Sequence, residues 1–374
     1  MKQQIPFVDL KAQYHSIKKD IDNAIANVIN DTAFIGGRYV KEFEKAFANL
    51  YEVRNVISCA NGTDSLYIIM KMLGIGKGDE VITAANSWIS SSETITQTGA
   101  RPVFVDIDPE YYSMDENLLA SVITPRTKAV IAVHLQGQMC AIEKIKAICD
   151  SYKIHLIEDC AQSHFSSYKN VKAGLTGVAA SFSFYPGKNL GAYGDAGCII
   201  TNDDELATKC RMYANHGALI KHQHQIEGIN SRMDGLQASI LLAKLSYIAE
   251  WTGKRIQTAG LYNNILAKIE QIKLPAIRPQ SKHSFHLYII LAHQRDELLQ
   301  YLKSNGVEAA IHYPAILPLL PAYNYLGYVP GDFPVAYSYQ QKILSLPIYP
   351  ELKSEQVNYT GDVIKSFYQI KEQN

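Results

Sequence analysis

Residues 181–197 read SFSFYPGKNLGAYGDAG and place one lysine, Lys188, in a glycine-rich turn directly after an apolar segment. The alternation of Phe182 and Phe184 with serines predicts a strand that ends at this turn. Because glycine lets the backbone approach a ligand closely, the turn favours a lysine that acts on a bound molecule. A Walker A phosphate loop is excluded, since Phe182 stands where that motif needs its first glycine and Asn189 where it needs Ser or Thr.

A second segment, residues 156–162 with the sequence LIEDCAQ, predicts a buried strand that ends in a carboxylate. Asp159 would lie at the carboxyl end of a parallel strand, which is where α/β folds bind ligands. A lysine that can form a Schiff base and an aspartate that can keep a pyridine nitrogen protonated indicate pyridoxal 5′-phosphate (PLP) chemistry. Gln162 could donate to the cofactor's phenolic oxygen, whereas Glu158 points to the opposite face and is predicted to be structural. Taken singly, Lys188, Asp159 and Gln162 also fit a surface lysine, a helix cap and a loop amide.

A turn between a strand and a helix, residues 61–66 with the sequence NGTDSL, is a candidate phosphate site. Gly62 allows close approach, and the N–H groups around Thr63 would face a phosphate at the positive end of the helix. Ser183 could add a hydroxyl from the lysine strand. Many such turns bind nothing, so this signal is weak alone. Trp88 could stack on the cofactor ring, although core packing is the more common reason for a tryptophan.

The distribution of apolar runs predicts an α/β fold whose central sheet is mainly parallel. Between about residues 55 and 200, short continuous apolar strands alternate with helical segments, a pattern typical of strands buried on both faces. The predicted strands are 55–59, 80–83, 102–106, 129–134 and 155–158. We expect a large cofactor-binding domain over 1–250, with 1–30 packed on the small domain, and a small C-terminal α+β domain over 251–374.

Composition excludes some classes of protein. The chain has 374 residues, with 36 Lys+Arg and 36 Asp+Glu, and this zero net charge argues against a nucleic-acid-binding protein. The six cysteines form no CxxC pair, the amino terminus lacks a signal peptide's apolar core, and no apolar run is long enough to span a bilayer. We therefore expect a cytoplasmic protein that binds neither membrane nor nucleic acid. No metal is expected, and His283, His286 and His293 are assigned to core or surface.

Motifs along nearly the whole chain resemble the DegT/DnrJ/EryC1/StrS sugar aminotransferases, which are PLP enzymes of fold type I. The matching stretches keep the family's order, which makes a chance match improbable. They are residues 5–10, 34–37, 61–66, 158–162, 181–188, 215–217, 228–234, 311–314 and 345–348. The resemblance implies the aspartate-aminotransferase fold, with a mainly parallel sheet in the large domain.

Carried over position by position, the resemblance implies roles for individual residues. Lys188 would be the Schiff-base lysine and Asp159 the partner of the pyridine nitrogen. The implied cofactor-binding residues are Gly62, Thr63, Trp88, Asp159, Gln162, Ser183, Lys188 and Asn230. Asn230 would reach the phosphate from the partner subunit, which implies a homodimer with shared active sites. One departure from the family pattern, His164 and the residues after it, is expected to affect the sugar pocket.

The resemblance also implies the substrates. The amino donor would be L-glutamate, the acceptor a keto group of a nucleotide-linked sugar, and the cofactor would alternate between PLP and pyridoxamine 5′-phosphate (PMP). C3 of the sugar is favoured over C4, while UDP and dTDP stay open. The candidate substrate-binding residues are Phe34, Tyr185, Lys221, His224, Arg232, His312 and Tyr313. For Lys221, His224 and Arg232, a solvated basic loop is an equal alternative.

Three rival functions have weaker support. A C3 dehydratase of this family would carry His at the position of Lys188. An amino-acid aminotransferase generally uses an arginine clamp for carboxylates, and Arg278 and Arg295 lack a supporting motif. A non-catalytic protein that binds PLP or a sugar nucleotide would not need Lys188, Asp159 and Gln162 together.

Overall fold

A computed structural model describes residues 4–372 of the chain. Most strands lie in one central sheet, and the short ones form two small sheets beside it. The strands are β1 (Asn55–Cys59), β2 (Glu80–Ala84), β3 (Arg101–Val105), β4 (Thr127–Val133), β5 (His155–Asp159), β6 (Ser167–Tyr168), β7 (Val171–Lys172), β8 (Ala179–Ser183), β9 (Gly197–Thr201), β10 (Ile272–Lys273), β11 (Ser281–Lys282), β12 (Tyr288–Ala292) and β13 (Ile343–Leu346).

The central sheet has seven strands in the order β1-β9-β8-β5-β4-β2-β3. Neighbours from β8 to β3 pair in parallel, whereas β9 is antiparallel to both β8 and β1. The carboxyl ends of all strands except β9 therefore lie at the same edge. The sheet matches the prediction of a mainly parallel arrangement, with β9 as the exception.

Helices cover both faces of this sheet and extend beyond it. They are α1 (Leu10–Ser16), α2 (Lys18–Asn30), α3 (Gly37–Tyr51), α4 (Gly62–Met72), α5 (Ser90–Thr98), α6 (Glu116–Leu119), α7 (Ile142–Tyr152), α8 (Asp204–Tyr213), α9 (Gly235–Leu245), α10 (Ile248–Leu266), α11 (Arg295–Ser304), α12 (Pro334–Gln340) and α13 (Ser354–Glu372). None of the helices in residues 4–372 combines the length and apolar character needed to cross a bilayer.

Consecutive residues of a central strand belong to different apolar cores. Val130 of β4 packs in one core and Ile131 in the other, and Ile200 and Ile199 of β9 divide in the same way. Successive side chains of a strand point to opposite faces, so both faces of the sheet are buried. This burial explains why the strands are continuous apolar runs in the sequence.

The amino-terminal segment contacts two parts of the molecule. Ile5 pairs with Val307, and the Phe7 N–H donates to Glu308 (3.0 Å), which ties the first described residues to the carboxyl-terminal part. Helix α2 instead packs on α9. The packing of segment 1–30 on a small domain stays a prediction, and residues 1–3 lie outside the described range. The boundary at residue 250, which lies inside α10, stays a prediction.

Candidate active site

A cavity of about 560 Å³ opens at the carboxyl ends of the parallel strands. The last residues of three strands line it: Val133 of β4, Asp159 of β5 and Ser183 of β8. Asn61, just after β1, contributes a fourth wall position. Ligands of open α/β sheets bind at this edge, because the loops there diverge and leave a crevice.

Lys188 lies in the loop after β8 and faces the cavity. Its backbone N–H donates to the Tyr185 carbonyl (2.8 Å), and the Ala192 N–H returns to the Phe184 carbonyl (2.7 Å), so the loop is tightly closed. Gly191 makes this closure possible, since a Cβ there would lie 2.2 Å from a backbone oxygen. Burial lowers the pKa of Lys188 to about 8, and the negative charge of Asp159 opposes that shift.

Asp159 is buried and hydrogen-bonded on both carboxylate oxygens. One oxygen accepts the Ala161 N–H (3.1 Å), and the other accepts the Ser91 hydroxyl (3.0 Å). Burial raises the pKa of Asp159, while these hydrogen bonds and the charge of Lys188 oppose the rise. The carboxylate and the Lys188 amine thus lie in one cavity and interact electrostatically.

Gln162 and two aromatic residues form the next part of the wall. The Gln162 carbonyl accepts the Gln136 N–H (2.6 Å), and its amide donates to the Tyr313 hydroxyl (3.1 Å). The rings of Trp88 and Tyr313 lie 5.5 Å apart. Trp88 is 57% exposed and lines the cavity, so its ring is free to cover a bound planar group and core packing does not explain it.

The first turn of α4 provides a cradle that suits phosphate. The Asn61 side chain accepts the Asp64 N–H (2.7 Å), which fixes where the helix begins and leaves earlier N–H groups facing the cavity. Gly62 crosses β8 so closely that a Cβ there would lie 2.7 Å from the Ser183 Cβ. The Thr63 hydroxyl, hydrogen-bonded to another serine (2.7 Å), and Ser183 add donors at the same wall.

Several predicted residues lie away from this cavity, on an exposed surface of the same chain. These residues are Phe34, Lys221, His224, Asn230 and Arg232. Backbone bridges hold the surface together: residue 35 pairs with 234, residue 215 with 230 and residue 218 with 224. We call residues 34–35 and 215–234 the hairpin face. Three exposed apolar side chains on it are Leu219, Ile220 and Ile226.

The other predicted substrate residues, Tyr185, His312 and Tyr313, line the cavity. His312 accepts from or donates to the Ser345 hydroxyl (2.9 Å), and its ring stacks on Phe7 at 5.4 Å. Burial lowers the pKa of His312 to about 4, helped by the charge of Lys188, so this imidazole is neutral at pH 7.

Two predictions about histidines are wrong. His164 is fully buried, packs against Phe182 and Phe184, and does not line the cavity, so it cannot contact a sugar there. His286, assigned to core or surface, lines the cavity and contacts Asn189 (3.3 Å). His286 lies in the loop between β11 and β12.

Sequence reasoning also missed Phe7, Ser91 and Arg255, which line the cavity or contact a residue that does. Only Arg255 had a recognisable signal: it lies four residues from both Trp251 and Ala259, on the buried face of α10. A charge on the apolar face of a helix calls for an explanation.

The predicted structural role of Glu158 agrees with its contacts. Its carboxylate contacts His134 Nε2 (2.8 Å) and accepts the N–H groups of Gly174, Thr176 and Gly177. Cys160 lies close enough to His134 and Glu158 to complete a metal-binding group. Because the carboxylate oxygens are already used, we interpret this group as a structural hydrogen-bond network.

The model of the DegT/DnrJ/EryC1/StrS aminotransferase family matches residues 15–365. The chain belongs to this family. It is 41% identical over 366 residues to the pleiotropic regulatory protein of Geobacillus stearothermophilus, covering 97% of this chain and 98% of the relative. It is also 41% identical over 353 residues to the UDP-2-acetamido-2-deoxy-3-oxo-D-glucuronate aminotransferase of Pseudomonas aeruginosa, covering 94% and 97%.

Solved structures confirm the predicted fold class for this aminotransferase. DesV of S. venezuelae, in complex with a ketimine intermediate, matches with a TM-score of 0.95 at 36% identity, covering 97% of this chain and 98% of DesV. NtdA of Bacillus subtilis, with bound cofactor PMP, matches with a TM-score of 0.88 at 30% identity, covering 97% and 85%.

Proposed function

We propose that this aminotransferase uses PLP to move the amino group of L-glutamate to the C3 keto group of a nucleotide-linked sugar. The observation that carries the proposal is the single cavity that joins Lys188, Asp159 and the cradle of Gly62, Thr63 and Ser183. An amine, a carboxylate and a phosphate cradle are the three groups that this cofactor requires, and family membership supports the reaction class.

The residues present fit the cofactor. Gly62, Thr63 and Ser183 would hold its phosphate, Trp88 would cover the ring, and Asp159 would face the ring nitrogen. When bound, the cofactor supplies a protonated pyridine ring that withdraws electrons from a substrate carbon.

Each site residue then has a defined task. Asp159 would face the ring nitrogen and hold its proton; burial raises the pKa of this carboxyl group, and the hydrogen bonds from Ala161 and Ser91 and the charge of Lys188 oppose the rise. Lys188 holds the cofactor and, once released, takes a proton from the donor's α-carbon on its Nζ and later returns one at the sugar carbon. Its lowered pKa keeps part of the amine neutral near pH 8, as a general base needs to be.

The C3 position rests on relatives. The P. aeruginosa relative is named for a 3-oxo sugar linked to UDP, which supports C3 over C4 for this chain. Neutral His312 and the hydroxyls of Tyr185 and Tyr313 suit uncharged sugar hydroxyls. The name of the G. stearothermophilus relative favours the non-catalytic alternative, but Lys188 in the cavity argues against it here.

The homodimer with shared active sites is part of the proposal. The hairpin face carries Asn230, the residue expected to complete the partner's site, together with exposed apolar side chains. Exposed apolar groups next to site residues are typical of a surface that a second subunit covers. A cytoplasmic location is likewise proposed, and the six cysteines, all buried and unpaired, agree with a reducing compartment.

An absorption spectrum of the PLP-loaded protein, recorded before and after L-glutamate is added, tests the proposal. We expect a visible band that moves to the near-ultraviolet as PLP becomes PMP, and a return when a 3-keto nucleotide sugar is supplied. A band that forms but never responds to L-glutamate or other amino acids would support the non-catalytic alternative.

A further inference from the structure

A second cation, Arg255, reaches the cavity from helix α10 rather than from a strand end. It lies on α10, is 4% exposed, and lines the cavity beside His286 and Ile348. Among the described cavity-lining residues, Lys188 and Arg255 are the only lysine or arginine. Arginine is seldom buried without an anionic partner, because removing its charge from water costs free energy.

The contacts of Arg255 leave its charge uncompensated. One terminal nitrogen, Nη1, donates to the carbonyls of Ile348 (2.7 Å) and Phe285 (3.3 Å), which are both neutral. Within the described residues, no carboxylate forms an ion pair with it, and Glu351 contributes only a longer-range attraction. Burial lowers the pKa of Arg255 to about 10, so the guanidinium is still charged at neutral pH.

Another buried arginine shows why the cavity matters. Arg278 is 8% exposed and stacks over the ring of Tyr111 at 4.1 Å, with its Nε and Nη2 enclosed in protein. In Arg255, by contrast, no nitrogen is both enclosed in protein and without a partner. Its hydrogen bonds within the described residues all come from Nη1, so Nε and Nη2 are unbonded but accessible. These two nitrogens therefore face the cavity, where a ligand can reach them.

We propose that Arg255 binds a carboxylate of the amino donor through its Nε and Nη2 edge. The inference rests on the proposed function and names the recognition element of the donor half-reaction. A guanidinium edge forms two parallel hydrogen bonds with a carboxylate, and the two carbonyl contacts fix its orientation. The cofactor phosphate already has its own cradle at Gly62 and Ser183, so it does not need Arg255.

One such arginine also fits the chemistry of the two substrates. The donor is an amino acid and carries a carboxylate, whereas the keto sugar presents hydroxyls to the neutral His312 and the tyrosines. A cavity that takes both in turn therefore needs a carboxylate site for the donor but none for an uncharged sugar.

Calorimetric titration of the PLP-loaded protein tests the inference with ligands that cannot react. Glutarate supplies the donor's carboxylates, UDP-glucuronate a sugar carboxylate, and UDP-glucose a sugar without one. We expect Arg255→Gln to weaken glutarate binding about 10- to 100-fold, the range for a lost charged hydrogen-bond pair, and to change both nucleotide sugars less than about twofold. Arg278→Gln, a buried arginine outside the cavity, is the matched control and should leave glutarate binding unchanged.

Kinetics of the donor half-reaction give a second readout. Arg255→Gln should raise the L-glutamate concentration for half-maximal PMP formation by a similar factor, and Arg255→Lys, which keeps the charge but not the fork, by less. If the melting temperature shows that the glutamine variant does not fold, the glutarate titration and the PMP-formation kinetics are both done with Arg255→Lys.

Unchanged glutarate affinity in a folded variant overturns the inference. A loss of affinity for UDP-glucuronate alone also overturns it, because Arg255 would then bind a sugar carboxylate. An equal loss of affinity for all three ligands overturns it too, because the role of Arg255 would then be structural. If L-glutamate fails to convert even the unmodified protein, the proposed function fails while the glutarate titration still decides the role of Arg255.

Discussion

The cavity wall at the carboxyl ends of the strands includes Asp159, Ser183 and the loop residue Lys188, and we call it the strand-end wall. It differs from the hairpin face in how its residues are positioned. Lys188 and Asp159 are placed by the ends of β8 and β5, so one chain brings them together. Asn230 and Arg232 lie on an exposed surface and do not line the cavity of their own chain. Local motifs thus place Lys188 and Asp159 in one cavity, while the predicted roles of the hairpin-face residues rest on the homodimer that we propose.

The largest effect on turnover is expected when the amine of Lys188 is removed. Lys188→Ala should abolish turnover and the visible band while leaving the melting temperature near that of the unmodified protein, because Lys188 donates no side-chain hydrogen bond in the described residues. Turnover and far-ultraviolet circular dichroism of the purified variant check this. Residual turnover near the original rate would remove Lys188 from the mechanism.

The same variant can decide whether the hairpin face serves the partner's site. Asn230→Asp should also be inactive, since a carboxylate there would repel the cofactor phosphate. A heterodimer of one Lys188→Ala chain and one Asn230→Asp chain, purified through two different tags, would contain one intact site if Asn230 acts across subunits. We expect about half of the original activity per dimer. Activity near zero would mean that Asn230 acts within its own chain.

Asp159→Asn tests the electrostatic part of the strand-end wall. The variant keeps the shape of the side chain and its contact with Ser91 but loses the charge that holds the ring nitrogen protonated. We expect turnover to fall by about 10²- to 10³-fold, the usual effect of removing one preorganised charge or donor, with PLP still bound. Stopped-flow rates of PMP formation give the measurement. A loss of PLP binding without a loss of rate would point to a structural carboxylate instead.

Gly62→Ala tests the phosphate cradle. The new Cβ would lie 2.7 Å from the Cβ of Ser183, so α4 must move away from β8 and the cradle opens. We expect PLP affinity, followed by fluorescence titration, to weaken about tenfold, equivalent to one lost hydrogen bond to a charged group. Gly253→Ala is the matched control, because nothing lies within 4 Å of a Cβ there and alanine favours its helix α10.

The sequence predicted the strand-end wall well because its signals are local. Apolar runs located β1, β2, β3, β4 and β5 to within two residues. Each of the predicted cofactor-binding residues except Asn230 lines the cavity, since the carboxyl ends of parallel strands meet at one edge. That rule needs only the order and direction of the strands.

What was missed depends on contacts between distant segments. Phe7 and His286 reach the cavity from loops, which have no periodic sequence pattern. His164 points into the core, although Gln162, two residues earlier, lines the cavity. Arg255 lies on α10, and helical periodicity alone does not show which cavity a buried residue of that helix reaches. Side-chain direction in a loop is set by tertiary packing, and one sequence does not reveal it.

The smallest effect expected is a shift in the pH dependence of PLP uptake, which tests whether the charge of Asp159 acts on Lys188. An amine must be neutral to attack the PLP aldehyde, so the rate of PLP uptake by the cofactor-free protein should rise with pH through a midpoint near 8, well below the ordinary lysine value. The charge of Asp159 raises the pKa of Lys188, and Asp159→Asn should therefore move the midpoint lower. Stopped-flow uptake at several pH values measures both midpoints. A midpoint above 10 in the unmodified protein would show a solvated lysine, and an unmoved midpoint in the variant would show that the two groups do not interact.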